Sequence, residues 1–280
     1  MHLLSILTVI IIAVLIRHQP VSTLHNWFER WYRALFLLLF PALLIFSMAI
    51  SILYMGCQGK MLGVAAGSWG CGLAGCLILF SLGCLVKLTF QSYCSIKNLN
   101  AYSQQVVNGV VAKVVDSELL FSAQIGFWNS ELVVSSGLLR NLDAEHLEAV
   151  LAHEQAHLDY KDTFWFFWLG WIRAFTFWLP NTESLWQELL LLRELRADRK
   201  AAETVDFLVL AESLLMVVRS PFAQPDISTA NFNNYQLGAR LNERIDSLLA
   251  KEKPGQRNPW GSLCWICFIF LPLFSITLHY

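Results

Sequence analysis

The sequence predicts an α+β domain inserted between the helices of a multi-pass α-helical membrane protein. Three observations carry that reading. Charge is scarce: 280 residues hold 20 Lys+Arg and 21 Asp+Glu, or 15%, against roughly 25% in an average soluble domain. The scarcity is local, because residues 3–16, 34–53, 61–86 and 260–278 contain no Asp, Glu, Lys or Arg. Residues 87–259, in contrast, change from alternating to helical periodicity, strands first and helices after, which is the order of an α+β domain. This composition excludes a secreted, disordered or nucleic-acid-coating protein, so no direct nucleic-acid partner is expected.

The first 86 residues read as three transmembrane helices and residues 260–280 as a fourth. About 20 apolar residues are needed to cross about 30 Å of hydrocarbon, and three of the four runs meet or approach that length. Run 3–16 is shorter and competes with a signal peptide. However, no Lys or Arg precedes it and no small-x-small cleavage site follows, so a retained span is expected. Loop charge sets the orientation. Residues 17–33 carry Arg17, Arg30 and Arg33, whereas 54–60 carry only Lys60. The first loop is therefore cytoplasmic, both termini lie outside, and the domain at 87–259 is cytoplasmic. Gly63, Gly67, Cys71 and Gly75 recur every four residues in the third run, a spacing that suits close helix packing and a helix-mediated oligomer. Small residues are also simply common in such helices. Six of the seven cysteines do not support disulfides: Cys71, Cys76, Cys84, Cys264 and Cys267 lie in apolar runs and Cys94 in the cytoplasmic part. The Cys264-x-x-Cys267 pair reads as packing sulfur rather than a redox motif.

Within the domain, 91–100 is a polar approach segment. Alternating runs around 108–115, 119–128 and 131–135, parted by turn residues such as Asn129-Ser130, predict a small antiparallel sheet. Helical periodicity starts at Asp143, a plausible N-cap, with Glu145 in the first turn and Leu147, Val150 and Leu151 on one face. Further helices are expected near 183–203, 205–218 and 236–250. Residues 251–259, with Pro254, Gly255 and Pro259, form the linker to the last span.

The chemistry-bearing motif is His153-Glu154-Gln155-Ala156-His157. Residues four apart share a helical face, so both imidazoles can bind one Zn²⁺ while Glu154 projects beside the open position as catalytic base. The plainer reading, a polar helix face, is disfavoured by the N-cap and apolar stripe of the same helix. A catalytic zinc needs a third protein ligand, and the candidate is Glu194 in Arg193-Glu194-Leu195-Arg196-Ala197-Asp198. Asp198, one turn on, is placed to accept the spare N–H of a ligating imidazole. Taken alone, such carboxylates flanked by arginine are usually a solvated face.

Residues 164–179 contain Trp165, Trp168, Trp171 and Trp178 with Arg173 as their one charge. A crossing here would part Glu194 from His153 and His157. The segment must therefore lie in the membrane interface or enter and return. The expected reaction is hydrolysis of a peptide bond in a protein substrate. The substrate is expected to add as a strand to the edge formed by Ser122, Ala123, Gln124, Ile125 and Gly126. Tyr235, Arg240 and Arg244 are candidates for a second oxyanion donor, each also readable as structural.

The pattern resembles the BlaR/MecR-type integral-membrane zinc metallopeptidases, gluzincins related to the HtpX-type and CAAX prenyl endopeptidases. The resemblance rests on 124–134, Gly137-Leu138-Leu139, Leu142-Asp143-Ala144-Glu145, 149–157, Asp162, Trp178-Leu179-Pro180, Glu194, Asp198 and 240–245. It implies a zincin-like fold, His153, His157 and Glu194 as ligands of one zinc ion, Glu154 as base, and regulated proteolysis of a protein such as a transcriptional repressor. The antibiotic sensors of that group carry a large extracellular domain after the last span, which this sequence lacks, so a signal from another protein, a signal from the bilayer, or no signal at all is expected. Two other functions fit the same motifs: HtpX-like quality control of membrane proteins, and a non-catalytic transducer or scaffold.

Overall fold

The computed structural model describes residues 1–20, 26–58, 60–61, 64–65, 67–99, 101–219, 234–249 and 265–278. The chain divides into two compact units. One comprises Met1–Lys87, Leu169–Leu192 and Pro254–Tyr280; the other comprises Leu88–Trp168 and Arg193–Lys253.

The first unit is built on α1 (His2–Arg17), α2 (Trp27–Met55) and α3 (Ser68–Leu99). Helices α2 and α3, of 29 and 32 residues, are long and apolar enough to cross a membrane. Helix α2 starts where the Asn26 side chain accepts from the Phe28 N–H at 2.9 Å, which satisfies one of the unpaired donors of a helix N-terminus. Its residues Leu44, Ile45, Met48, Ala49 and Ile52 bury against Val9 and Ala13 of α1 and Cys71 and Ala74 of α3.

Helix α3 departs from the sequence expectation at both ends. It begins at Ser68 rather than 61, behind a short antiparallel ladder of β1 (Lys60–Met61) and β2 (Val64–Ala65). Gly67, at φ 84°, stands outside helical conformation. The helix then runs on through the expected polar approach, because nothing between Lys87 and Leu99 is Gly or Pro; the charges end the apolar run but not the helix. Of the four small residues, Cys71 and Gly75 lie on α3 and Gly67 precedes it, while Gly63 falls outside the described residues. The close approach occurs at Gly70, where a Cβ would lie 2.4 Å from the His2 Cβ.

The basic residues assigned to the first loop sit in helices. Arg17 closes α1, and Arg30 and Arg33 lie in α2. The Arg17 guanidinium is fully buried, donating to the Leu38 carbonyl at 3.2 Å and the Thr182 hydroxyl at 3.1 Å. An arginine buried inside the protein no longer reports which side of a bilayer it faces. The last apolar run is described only in part. Its described part is α10 (Trp265–Ile269) followed by a 3₁₀ helix, Leu271–Leu278, with Pro272 in its first turn.

Leu169–Leu192 joins this unit as the end of α6 (Asp162–Phe175), a turn, and the start of α7 (Thr182–Ala201). The Trp171 indole donates to the Ser81 carbonyl at 2.8 Å, and Phe46 packs on both Trp171 and Phe175. The tryptophan-rich run is thus most of one helix and the turn after it, rather than a single straight segment.

The second unit holds a four-stranded sheet of β3 (Ser103–Val107), β4 (Val110–Val115), β5 (Ser122–Ile125) and β6 (Glu131–Ser135), in the order β3-β4-β6-β5. The expected antiparallel sheet is in fact mixed: β4 and β6 run parallel, Ala112 opposite Leu132 and Val115 opposite Ser135. The reason is topological. The chain leaves β4, places β5 on the outside and returns through a tight turn, so β6 fills the central position. That turn needs Gly126, whose φ is 149° and where a Cβ would lie 2.5 Å from the Asn129 carbonyl oxygen. The first strand, β3, does not show in the sequence pattern, because its exposed polar residues Ser103, Gln104 and Gln105 hide the alternation.

A short helix, α4 (Ser136–Asn141), follows β6 and leads into α5 (Ala144–Asp159). The Asp143 carboxylate accepts from the His146 N–H at 2.9 Å and caps α5. Leu147, Val150 and Leu151 of α5 bury against Val107, Ala112, Leu132, Val134, Leu138 and Leu142. On the other side of α5, Ala149 packs with Leu210 and Ala211 of α8 (Phe207–Arg219) and Leu248 of α9 (Asn234–Leu249). Helix α5 is therefore enclosed on two sides, and its remaining face carries the motif.

Candidate metal centre and active site

His153, Glu154 and His157 are all buried, at 7, 6 and 9% exposure. Helix α5 ends at Asp159 with Tyr160 as its C-cap, and Lys161 at φ 53° reverses the chain so that α6 starts at Asp162, one turn beyond His157. Glu194 comes from α7 and faces both imidazoles. Its Oε2 lies 3.3 Å from His153 Nε2 and 3.7 Å from His157 Nε2, and the two Nε2 atoms are 3.1 Å apart. Four-coordinate zinc with ligands at about 2.0–2.1 Å requires donor separations of about 3.3 Å. The three measured separations bracket that value. Three lone-pair donors so close repel one another unless a cation or proton lies among them, so the donor set fits a metal ion. Among the described residues these three are the group of His, Cys, Asp and Glu side chains that can hold a metal.

Each of these three candidate donors is held from behind. His153 Nδ1 is 2.8 Å from Asp198 Oδ1, and His157 Nδ1 is 2.7 Å from Asp162 Oδ2. A carboxylate at Nδ1 keeps the proton there and turns the Nε2 lone pair inward, as a metal ligand requires. Asp198 is clamped by Arg244 of α9, through Nε at 2.6 Å and Nη2 at 2.7 Å. Asp162 pairs with Arg196, whose guanidinium lies 4.0 Å over the Tyr160 ring. The other oxygen of Glu194 accepts from Arg193 Nε at 3.0 Å and Nη2 at 2.7 Å.

These contacts set the protonation of the metal-free centre. Burial opposes charge on His153, but Asp198 and Glu194 outweigh it and hold the imidazole pKa up at about 10. His157 is likewise raised: burial opposes, while Glu194 and Asp162 prevail. Burial would raise Glu194, yet Arg193 and the two imidazoles hold it well below the usual carboxylate range. Asp198 is lowered in the same way, with Arg244 overcoming burial. The centre is thus a buried, alternating set of charges around a pocket of three donors.

Glu154 projects toward the sheet, where its Oε1 accepts from the Ser122 hydroxyl at 2.7 Å. Ser122 opens β5, which occupies one end of the strand order and pairs with β6. Ser122, Ala123, Gln124 and Ile125 form this edge strand, and Gly126 follows it in the turn. Of the three oxyanion candidates, Arg244 engages Asp198 and reaches Glu194 Oε2 with Nη1 at 3.5 Å. Arg240 is half-buried on α9, and Tyr235 lies on the same helix with its side chain outside the described residues. The roles of Asp162, Arg193 and the Arg244 clamp emerge only in the structure. The signal for Asp162 was its place five residues after His157, next to the helix end; Arg244 lies 46 residues beyond Asp198 and left no local trace.

Residues 96–219 match the family model of Peptidase family M48, a family of zinc-dependent metallopeptidases. Comparison with curated proteins and with solved structures gave no match. The matched stretch contains His153, Glu154, His157, Asp162, Glu194 and Asp198, while Arg244 lies outside it.

Proposed function

We propose that this protein is a membrane-embedded zinc metalloendopeptidase that cleaves a peptide bond in a cytoplasmic or membrane-associated protein, in regulated proteolysis for signalling. The observation that carries the reading is the convergence of His153, His157 and Glu194 at zinc-like separations beside a buried glutamate tethered to an edge strand. Zinc held by these three residues would acidify a water and polarise a carbonyl. Glu154 is placed to take the proton of the attacking water and pass it to the leaving amine. The β5 edge offers backbone groups for an extended substrate, and Ser122 fixes the carboxylate of Glu154 at that edge. Arg244 acts as the clamp of Asp198 and so orients His153.

Helices α2 and α3 support a membrane setting. In the second unit Trp128 and Trp165 are 73 and 59% exposed beside the Phe127–Phe164 cluster, as expected of residues at a bilayer interface. The test is Glu154→Gln in the full chain. Cleavage of cellular proteins, followed by their new N-termini, should be lost while zinc is still bound at wild-type stoichiometry. Retained proteolysis would overturn the assignment.

A further inference from the structure

A cavity in the second unit adjoins the candidate active site. Its volume is about 230 Å³, and Ala112, Gln124, Leu132, Leu151, Gln155 and Leu158 line it. The three strand residues form one row across the sheet, with Gln124 opposite Leu132 and Leu132 opposite Ala112. The three helical residues flank Glu154 on α5. Ser122 and Gln124 are two apart on β5, so their side chains leave the same face of the strand. Ser122 reaches Glu154 at 2.7 Å. Gln124, about 7 Å farther along the strand, forms a wall of the cavity.

The cavity is apolar except at one atom. Ala112, Leu132, Leu151 and Leu158 give it hydrocarbon walls. Among the described residues nothing donates to the Gln124 Oε1, which is buried. A buried acceptor without a donor is costly, so a ligand that brings the donor gains by it. Of the residues lining the cavity only Glu131 is acidic, and it is paired with Lys113 at 2.6 Å. The Gln155 amide turns to Asp159 at 2.8 Å. A cation entering the cavity would be desolvated without a free carboxylate on its walls, whereas a neutral donor on an apolar body is matched at both ends.

We propose that this cavity is a specificity pocket for a substrate side chain that ends an apolar ring in a single hydrogen-bond donor, as tyrosine does. The proposal rests on the peptidase reading above, because a substrate strand laid along β5 shares its pleat. The substrate residue beside Gln124 then stands two positions from the residue beside Ser122 and Glu154. Its ring fills the space between the sheet and α5, and its hydroxyl donates to Gln124 Oε1. Gln124 thereby reads one substrate residue at a fixed distance from the cleaved bond.

The probes are fluorescein-labelled octa-alanine peptides with Ala, Phe, Tyr or Arg at one central position. Their binding to the full-length, zinc-loaded Glu154→Gln protein in detergent micelles is read by fluorescence polarisation, which needs no turnover. Tyr should bind about 3–10-fold more tightly than Phe, the worth of one hydrogen bond, and Phe more tightly than Ala. With Gln124→Leu added, the ratio of Tyr to Phe should fall to about one. Leucine replaces an unpaired buried oxygen with apolar surface, so the variant should fold, and the order of the four peptides on the parent protein decides even without it. Equal binding of Tyr and Phe, tightest binding by Arg, no binding by any peptide, or an unchanged ratio after Gln124→Leu would each overturn the pocket. The same peptides incubated with the wild-type protein separate the two readings. Cleavage without preference for Tyr overturns the pocket and keeps the peptidase; the expected binding order without any cleavage keeps the pocket and overturns the peptidase.

Discussion

Asp198→Asn separates the two duties of one buried carboxylate. Asp198 is 1% exposed and stands between the His153 imidazole and the Arg244 guanidinium. One oxygen is 2.8 Å from His153 Nδ1 and 2.7 Å from Arg244 Nη2, and the other is 2.6 Å from Arg244 Nε. Asparagine keeps the shape and removes the charge. Losing the outer partner of a ligating histidine costs about 10–100-fold in metal affinity, or about 1.4–2.7 kcal/mol. Breaking a buried ion pair from one side costs about 3–5 kcal/mol of stability. The lower end applies here, because asparagine can still accept one hydrogen bond from Arg244 and Glu194 lies 3.5 Å from its Nη1. Zinc competition against a chromogenic chelator measures the first cost, and thermal unfolding of the metal-free protein the second. The double variant Asp198→Leu with Arg244→Met removes both charges, so stability should return toward wild type. Zinc affinity should not return, since His153 Nδ1 still lacks its acceptor. Wild-type zinc affinity in Asp198→Asn, or recovery of affinity in the double variant, would refute the orienting role of Asp198.

Three further outcomes are expected. Zinc binding should strengthen as pH rises from about 6 to 9, by up to about tenfold per unit for each proton displaced. The sign follows from His153, held at about 10, and His157, also raised, both of which must shed a proton to ligate; a flat profile by isothermal calorimetry would contradict it. Asp143→Ala should lower the thermal midpoint and Asp143→Asn far less, because either Asp or Asn can cap α5. Chiefly through hydrogen bonds with each other, Asp143 is held below and His146 above its ordinary value. Their contribution should fade as pH falls through the depressed Asp143 value and as it rises through the raised His146 value. Gly137→Ala would put a Cβ 2.4 Å from the Glu118 carbonyl oxygen. Backbone there cannot yield cheaply, so a loss of about 1–3 kcal/mol is expected in chemical denaturation, without change in zinc stoichiometry.

Local patterns carried much of the molecule. Asp143 as N-cap and Leu147, Val150 and Leu151 as the inner stripe of α5 follow from neighbours within one or two turns, where periodicity reports burial directly. The same holds for α7, α8 and α9, whose bounds lie within about two residues of expectation. Longer-range features were hidden for physical reasons. Strand β3 is masked because an edge strand can expose both faces, and the parallel pairing of β4 with β6 depends on where β5 is laid. Membrane-run boundaries were read from charge, although a helix stops only where its backbone does, as at Gly67.

The sequence by itself determined that His153 and His157 share a helical face with Glu154 between them, because a 3.6-residue period brings positions four apart together. Only the tertiary structure decided what stands behind each ligand. Asp162 reaches His157 across a helix end, Arg193 fixes the far oxygen of Glu194, and Arg244 arrives from a different helix to clamp Asp198. Such ion pairs depend on side-chain ends meeting within about 3 Å. Contacts of that range between distant segments are set by packing and have no periodicity along the chain.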